Sequence, residues 1–235
     1  CIARHMGAKV NELFTGIYDH VGDSIIYGDT DSVYFSAYPV FRQQIESGEF
    51  AWDKDKVTEL YETVCEQANE TFPDYMATAH NVQNREQGEI IAAAREVSAT
   101  AGIYITKKRY AILVYDNEGH REDKDDKPGK IKAMGLDLKR SDTPAFMQDF
   151  LNELLLKTLT GTSEEQIIER IIEFRSEFRN MPAWLKGTPK RVNKLTHYYN
   201  SEYMIDPKTG DEIYKGKANM PGHVRAAINY NRMRR

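Results

Sequence analysis

Two aspartates, Asp29 and Asp31, stand one residue apart in the largely apolar stretch SIIYGDTDSVYFSA (24–37), which contains no Lys or Arg. A carboxylate in an apolar setting is costly unless it gains a partner, a proton or a metal ion. Hard cations such as Mg²⁺ prefer carboxylate oxygens, phosphate oxygens and water as ligands. The pair therefore predicts a divalent-metal site suited to phosphoryl transfer.

The residues on either side of the pair predict the element that carries it. SII precedes the pair and SVYF follows it, and both stretches are rich in β-forming residues. A turn containing Gly28 separates them, so the sequence predicts a β-hairpin with both carboxylates at its tip. The Asp-X-Asp spacing alone also fits a turn of solvated aspartates, or the metal and diphosphate site of a nucleotide-sugar transferase.

The remaining chain predicts a mixture of helices and strands. Apolar residues recur at helical spacing near the start and over 53–81, whereas 88–119 is strand-like with DNEG as a turn. HREDKDDKPGKIK is a charged connector that we expect to be a mobile loop. One later helix follows the capping signal SDTP and ends at Gly161, and the next begins at Ser163 with Gln166 in the spacing of a capping box.

The composition excludes several protein classes. The 235 residues carry a net charge of -4 and a pI near 5.9, which argues against a uniformly basic nucleic-acid-binding protein. Residues 186–235 nevertheless hold eleven Lys and Arg against four Asp and Glu, a local charge of +7. No apolar run is long enough to span a bilayer. Cys1 and Cys65 fit neither a disulfide framework nor a zinc spacing, so we expect a reducing compartment.

Four motifs in a fixed order carry a resemblance to a known family. They are YGDTDSVY around the aspartates, KKRYAILVYD (107–116), MGLDLKRSDTP (134–144), and GTPKRVNKL with MPGHVRAAINYNR in the basic tail. They resemble, in this order, the palm signature, the primer-contacting Lys-X-Tyr motif, the palm-to-thumb junction and the thumb of family B DNA polymerases of the T4-like phage type. The resemblance extends over almost the whole chain.

The resemblance implies a fold, two domains and a reaction. The expected fold is α+β, with an antiparallel palm sheet and covering helices over 1–134, followed by a mainly helical, incomplete thumb over 135–235. The composition also changes near Met134, from mixed strands and helices to helices and a basic tail. The implied activity is that of a DNA-directed DNA polymerase, a nucleotidyltransferase that uses a pair of Mg²⁺ ions, primer-template DNA and deoxynucleoside triphosphates.

The resemblance also assigns roles to individual residues. Asp29 and Asp31 match the two palm carboxylates and are implied to be catalytic and metal-binding. Glu96 stands where T4-like enzymes carry an acidic residue near the metals, with an ordinary strand-edge carboxylate as the alternative. Tyr27 and Gly28 are implied to shape the turn, and Gly28 leaves room for the primer terminus.

The implied DNA contacts include the Lys-X-Tyr motif and the tail. Because side chains alternate along a strand, we expect Lys108 and Tyr110 to point together toward DNA, and Lys107 and Arg109 to face the other way. A solvated basic strand is the alternative. The full set of implied primer or duplex contacts is Tyr27, Gly28, Thr30, Ser32, Lys107, Lys108, Arg109, Tyr110, Lys139, Arg140, Lys190, Arg191, Asn193, Lys194, His223 and Arg225.

The tail contacts are expected to touch phosphates without reading bases, because a polymerase must move over any sequence. The tail tyrosines are interpreted as structural rather than base-stacking, since a gripped duplex offers few unstacked bases. They are Tyr198, Tyr199, Tyr203 and Tyr214.

Other motifs of the family do not occur in this sequence. It has no string like Asp-X-X-Ser-Leu-Tyr-Pro-Ser, which supplies a further carboxylate, and none like the fingers motif Lys-X-X-X-Asn-Ser-X-Tyr-Gly. We therefore expect the chain to be inactive alone and to need an N-terminal polymerase part that carries the exonuclease, the fingers and the rest of the palm. It would be either a subunit of a split phage polymerase or a fragment of a single-chain enzyme. Cys1 also fits the junction left by a removed intervening segment.

Further partners and an alternative function follow from the same resemblance. A sliding clamp is an expected partner, no membrane contact is expected, and the implied setting is the cytoplasm of a phage-infected bacterium. The alternative function is a non-catalytic module that binds primer-template DNA.

Overall fold

The computed structural model describes residues 2–82, 85–188, 190, 203–214 and 221–234. Helices and antiparallel strands are mixed through these ranges, so the predicted α+β class is confirmed. Among the helices of these ranges, none has the length and apolar character needed to cross a membrane.

The elements of the described residues have the following bounds. The α-helices are α1 (Ile2–Thr15), α2 (Tyr38–Glu46), α3 (Lys54–Glu70), α4 (Phe72–His80), α5 (Arg85–Gly88), α6 (Ala145–Leu159), α7 (Glu164–Asn180) and α8 (Gly222–Met233). The strands are β1 (Ile25–Gly28), β2 (Val33–Phe35), β3 (Val97–Thr106), β4 (Arg109–Asn117), β5 (His120–Arg121), β6 (Lys130–Met134), β7 (Tyr203–Ile205) and β8 (Glu212–Tyr214). A short 3-10 helix covers Asp137–Lys139.

Strand β4 is the centre of the main sheet. It pairs antiparallel with β3 along one edge, and with β6 and β5 along the other. Tyr110, Ile112 and Val114 pack on one face against tyrosines of the β1–β2 hairpin and of β3. On the other face, Ala111 and Leu113 pack against α6. Both faces of β4 are therefore buried, as its nearly continuous apolar sequence requires.

The predicted hairpin of β1 and β2 is confirmed, with Gly28 paired to Val33. Helix α1 lies against it, and the buried side chain of Asn11 fixes the connection. Its Oδ1 accepts hydrogen bonds from the Ser24 amide (3.2 Å) and hydroxyl (2.9 Å), and its Nδ2 donates to the Ile17 carbonyl (2.9 Å). These bonds satisfy a buried amide and hold the start of β1 against α1.

Two glycines bracket β6. Gly129 has φ +126° and Gly135 has φ +65°, a region that side chains rarely adopt. A Cβ on Gly129 would collide with the carbonyl oxygen of Val114, and one on Gly135 with that of Lys108. Glycine is needed at both positions, because the neighbouring backbone approaches too closely for any side chain.

The predicted helix over 53–81 is two helices, α3 and α4. The Asp53 side chain caps α3 by accepting from the amides of Asp55 (2.9 Å) and Lys56 (3.3 Å). Pro73 lies in the first turn of α4 and has no amide hydrogen with which to continue the bonds of α3. The chain therefore begins a new helix after Thr71.

The strand-like stretch 88–119 forms strands only from Val97 onward. The segment 89–96 is irregular and is held by Asn69 of α3, whose side chain accepts from the Ala93 amide (2.6 Å) and donates to its carbonyl (2.8 Å). The predicted DNEG turn is confirmed, because Asn117 pairs with His120 across it.

Helices α6 and α7 form where predicted. Ser163 caps α7 by accepting from the Gln166 amide (3.4 Å), in the predicted capping-box spacing. The SDTP cap is wrong in detail, because Pro144 holds the N-cap position of α6 and no side chain caps that helix. Phe150 of α6 stacks on Phe174 of α7 with ring centroids 3.6 Å apart.

The charged connector after β4 is anchored at its start. Asp123 accepts hydrogen bonds from Arg121 Nε (2.9 Å) and from Lys54 Nζ of α3 (2.6 Å). These two cations hold the pKa of Asp123 well below its usual range. The connector is thus tied to α3 through ion pairs.

A buried ion pair fixes the irregular segment 89–96 to β4. Arg95 Nη1 donates to Asp116 Oδ1 (2.5 Å), and both side chains are less than a tenth exposed. The Arg95 guanidinium also donates to Glu62 of α3 (2.9 Å). The pair links α3, the segment that precedes Glu96 and the far end of β4.

Replacing Asp116 with Asn should lower the free energy of unfolding by about 3 kcal/mol, because Arg95 then keeps a buried charge without its nearest counter-ion. Urea unfolding followed by circular dichroism measures the loss. Glu46→Gln breaks the exposed pair between Arg42 and Glu46 (2.8 Å) and is the matched control, with an expected loss of no more than about 0.5 kcal/mol. Equal, small losses in both variants would show that the buried pair does not hold this segment.

Candidate functional site

The tip of the hairpin presents Asp29 half-buried and Asp31 exposed. The Asp29 amide donates to the Ser32 carbonyl (2.9 Å) and closes the turn. Asp29 Oδ1 accepts from the Thr30 amide (2.9 Å) and from the Thr30 hydroxyl (3.3 Å). Thr30 and Ser32 therefore hold the turn and the carboxylate of Asp29.

Tyr27 connects this carboxylate to the Lys107–Lys108 segment. Its hydroxyl accepts a hydrogen bond from the Lys108 amide (3.0 Å) and donates to Asp29 Oδ2 (3.4 Å). The second distance is longer than a strong O–H···O bond. A single phenol hydroxyl thus stands between the carboxylate at the hairpin tip and the turn that joins β3 to β4.

Four tyrosines pack between the hairpin and strands β3 and β4. The rings of Tyr27, Tyr34, Tyr104 and Tyr110 contact one another with centroids 5.4 to 5.8 Å apart. The hydroxyls of Tyr34 and Tyr110 are hydrogen-bonded to each other (2.9 Å). Burial raises the pKa of Tyr34 and of Tyr104, and the bond to Tyr110 adds to the rise for Tyr34. Tyr34 and Tyr104 therefore stay neutral, and the four rings pack the hairpin on β3 and β4.

The expected alternation of the Lys-X-Tyr residues is wrong. Lys107 and Lys108 lie in the turn before β4, with Lys108 at φ +60°, so strand alternation does not apply to them. Both lysines are exposed, as is Arg109 at the first position of β4. Tyr110 is 4% exposed and its hydroxyl bonds to Tyr34, so it faces the tyrosine cluster rather than the side on which the lysines are exposed.

The charges around the hairpin tip favour an ionised Asp29. Partial desolvation alone would raise the pKa of Asp29, but the hydrogen bond from the Thr30 amide and the positive charges of Lys108 and Lys107 outweigh it and lower the pKa. The carboxylate therefore stays charged at lower pH than an ordinary aspartate. The positive charges of Lys107 and Lys108 therefore attract the negative charge of Asp29.

Glu96 is held by an ion pair of its own. Its carboxylate accepts from Lys132 Nζ on β6 (2.5 Å). Glu96 and Asp31 both line a cavity of about 850 Å³ that is enclosed mainly by the hairpin, α3 and β3. Within the described ranges, no three His, Cys, Asp or Glu side chains come together as a metal-binding group. Both aspartates thus stand at the hairpin tip, where Asp31 lines the cavity and Asp29 is bonded to Thr30 and Tyr27, and Glu96 is paired with Lys132.

The other predicted residues are Gly28 in the hairpin itself and residues of later segments, some of which are not described. No contact among the described residues requires glycine at position 28, because a Cβ on Gly28 would meet only the Ser32 carbonyl oxygen at 4.0 Å. Arg140 forms a bidentate pair with Asp142 (3.0 and 3.1 Å). Lys190 is exposed, as are His223 and Arg225 of α8. Outside the described residues lie Arg191, Asn193, Lys194, Tyr198 and Tyr199, together with the side chains of Lys139, Tyr203 and Tyr214.

Sequence reasoning missed the supporting role of Tyr34 and Tyr104. A register shift between Tyr104 and Thr106 places Tyr104 opposite Tyr110, which simple counting from the turn does not give. The recurrence of tyrosine in both the hairpin and the following strands was the available signal.

Comparison with known proteins identifies two phage relatives. The chain is 27% identical over 241 residues to the DNA-directed DNA polymerase of Enterobacteria phage T4 and 28% identical over 231 residues to that of Escherichia phage RB69. These matches cover 98% and 95% of the chain but 24% of each relative, so the chain spans about a quarter of their length. No protein-family model matches the chain. The resemblance to T4-like phage DNA polymerases is confirmed over nearly the whole chain.

The carboxyl carbon of Asp29 should titrate with a midpoint below that of an ordinary aspartate, measured by NMR on the ¹³C-labelled chain. Lys108→Gln should raise this midpoint, because it removes a positive charge that favours the ionised form. The interaction stabilises the folded chain above the ordinary aspartate pKa and is lost as the pH falls through the lowered value. Lys127→Gln, in the connector before β6, is the control and should leave the midpoint unchanged. An Asp29 midpoint that Lys108→Gln does not move would contradict this electrostatic account.

Proposed function

We propose that the chain supplies part of the active site of a DNA-directed DNA polymerase. In this proposal Asp29 and Asp31 bind the catalytic metal, and the Lys107–Lys108 turn holds the primer strand by its phosphates. The proposal is supported by the similarity to two polymerases named for this activity, over nearly the whole of this chain.

One observation carries the proposal. The Tyr27 hydroxyl bonds to both Asp29 Oδ2 and the Lys108 amide, so the Asp29 carboxylate and a basic turn that are far apart in sequence lie next to each other. Nucleotidyl transfer needs this combination, because a cation must be held by carboxylates while the phosphates of the nucleic acid are held by positive charge.

The residues at the tip fit Mg²⁺ in their chemistry. Asp29 and Asp31 offer carboxylate oxygens, which a hard cation prefers, and Asp29 is held ionised by Thr30 and the lysines. When bound there, Mg²⁺ would activate the attacking oxygen and stabilise the leaving one. Water, substrate phosphates and a further carboxylate from another polypeptide would supply its remaining ligands. Glu96 would join only after release from Lys132.

The remaining basic residues would hold the duplex by its phosphates. Lys190, His223 and Arg225 are exposed and suited to this role, and Arg191, Asn193 and Lys194 are proposed on the resemblance alone. Arg140 would first have to leave Asp142. Such contacts give affinity without sequence preference, which a moving polymerase requires.

We propose that the active enzyme contains more polypeptide than this chain. That part would carry the fingers, the exonuclease, the rest of the palm and its carboxylate, and it would bind deoxynucleoside triphosphates together with Asp29 and Asp31. A sliding clamp and the cytoplasm of an infected bacterium complete the proposed setting. The division at Met134 into palm and thumb belongs to the same proposal.

A second candidate is a module that binds primer-template DNA without catalysis. It uses the exposed basic residues Lys107, Lys108, His223 and Arg225 as phosphate contacts and needs no cation at the hairpin tip. The two candidates differ in the role of Asp29 and Asp31, which are required for nucleotidyl transfer in the first and have no catalytic role in the second.

Primer extension with Mg²⁺ should give no product with this chain alone and should give product when the companion polypeptide from the same source is added. Asp29→Asn or Asp31→Asn should reduce this product to background, because each variant loses a metal-binding charge, while duplex binding persists. Asp126→Asn, in the charged connector, is the control and should extend primers normally. Extension that survives both active-site substitutions would favour the non-catalytic module. Extension by the isolated chain, lost in Asp31→Asn, would overturn the need for a companion.

Duplex affinity of the chain should fall steeply with salt, as measured by fluorescence anisotropy of a labelled primer-template. Lys108→Gln and Arg191→Gln should each lower the slope of log affinity against log salt by about one, because each removes one phosphate contact. Lys127→Gln is the control and should keep the slope. Unchanged slopes in Lys108→Gln and Arg191→Gln would show that these residues do not touch phosphates.

A further inference from the structure

The Lys107–Lys108 turn is held to the hairpin tip by few contacts. Lys108 sits at φ +60° above Gly135, and its amide donates to the Tyr27 hydroxyl at 3.0 Å. The same hydroxyl donates to Asp29 Oδ2 at 3.4 Å, which is long for such a bond. A displacement of the Asp29 carboxylate is therefore transmitted to the Lys108 backbone through the Tyr27 hydroxyl oxygen.

We infer that Tyr27 is a positioning residue that couples the binding of a divalent cation at Asp29 to the binding of DNA at the Lys107–Lys108 turn. The inference rests on the proposed function, which places the cation and the DNA at these two points. A cation that fixes the Asp29 carboxylate also fixes the acceptor of the Tyr27 hydroxyl, and the hydroxyl in turn fixes the Lys108 amide. The turn is then preorganised for phosphate, and less conformational entropy is lost when DNA binds.

Charge contributes a separate coupling that does not need Tyr27. A cation on Asp29 cancels the carboxylate that competes with phosphates for Lys107 and Lys108. This contribution depends on the charges alone and is the same with or without the Tyr27 hydroxyl. The part of the coupling that disappears with the hydroxyl therefore measures the positional effect.

The tyrosine cluster offers a matched control. Tyr34 contacts the same rings as Tyr27, but its hydroxyl bonds to Tyr110 rather than to Asp29 and Lys108. Tyr27→Phe and Tyr34→Phe each remove one hydroxyl and keep the ring. Only the first removes the connection between the carboxylate and the turn.

The experiment measures duplex affinity of the full chain by anisotropy, with and without saturating Mg²⁺, at constant ionic strength. In the wild type, Mg²⁺ should strengthen binding by on the order of five-fold or more. In Tyr27→Phe this factor should fall at least two-fold. In Tyr34→Phe the factor should stay as in the wild type. By linkage, duplex should strengthen Mg²⁺ binding by the same factor.

A second measurement needs no variant and therefore does not depend on how the variants fold. Amide hydrogen exchange in the wild type should slow at Lys108 when Mg²⁺ is added, because its acceptor becomes fixed. Exchange at Ile112, inside β4, should not change.

The outcomes separate the inference from the proposed function. Salt-dependent duplex binding with the same Mg²⁺ factor in the wild type and Tyr27→Phe would overturn the inference alone. The same holds if Mg²⁺ leaves wild-type affinity or Lys108 exchange unchanged. Absence of salt-dependent duplex binding in the wild type would overturn the proposed function and the inference with it.

Discussion

The burial of β4 on both faces is the constraint on which the rest of this structure depends. One set of alternate side chains, Tyr110, Ile112 and Val114, packs under the hairpin, and the other set, Ala111 and Leu113, packs under α6. Neither the short hairpin nor an isolated helix is stable in water without such a partner. The strand therefore fixes the hairpin above one face of the sheet and α6 below the other.

The candidate site follows from where β4 begins. Its first residue comes directly after the Lys107–Lys108 turn, and its second, Tyr110, is part of the cluster that carries the hairpin. The negative charge of Asp29 and the positive charges of Lys107 and Lys108 therefore meet at one end of strands β3 and β4, although these residues are far apart in sequence. The tyrosine rings form an apolar layer beneath the hairpin. The Tyr27 hydroxyl hydrogen-bonds to the Asp29 carboxylate and orients it without removing its charge.

Local signals in the sequence were sufficient for much of the fold. The hairpin around Gly28, the DNEG turn and the cap at Ser163 each depend on a few neighbouring residues, and each is found. The turn at Lys107 and Lys108 was missed because it lacks the Gly, Asn or Asp that usually mark such turns. Glu96 was placed near the metals by resemblance, but its pairing with Lys132 depends on the register of β6, which the sequence alone does not specify. The proposed chemistry of the hairpin tip comes from residue types, whereas long-range packing decides which groups meet.

The two glycines that bracket β6 have a consequence for strand alignment. A slip of β6 by one residue would bring Pro128 or Lys130 to the position of Gly129, and Met134 or Leu136 to that of Gly135. Each of these residues carries a side chain where the carbonyl of Val114 or Lys108 already stands, so both shifted alignments are blocked at both ends. The two glycines therefore restrict the alignment of β6 at both of its ends, in addition to the packing of Ile131 and Ala133 against the core.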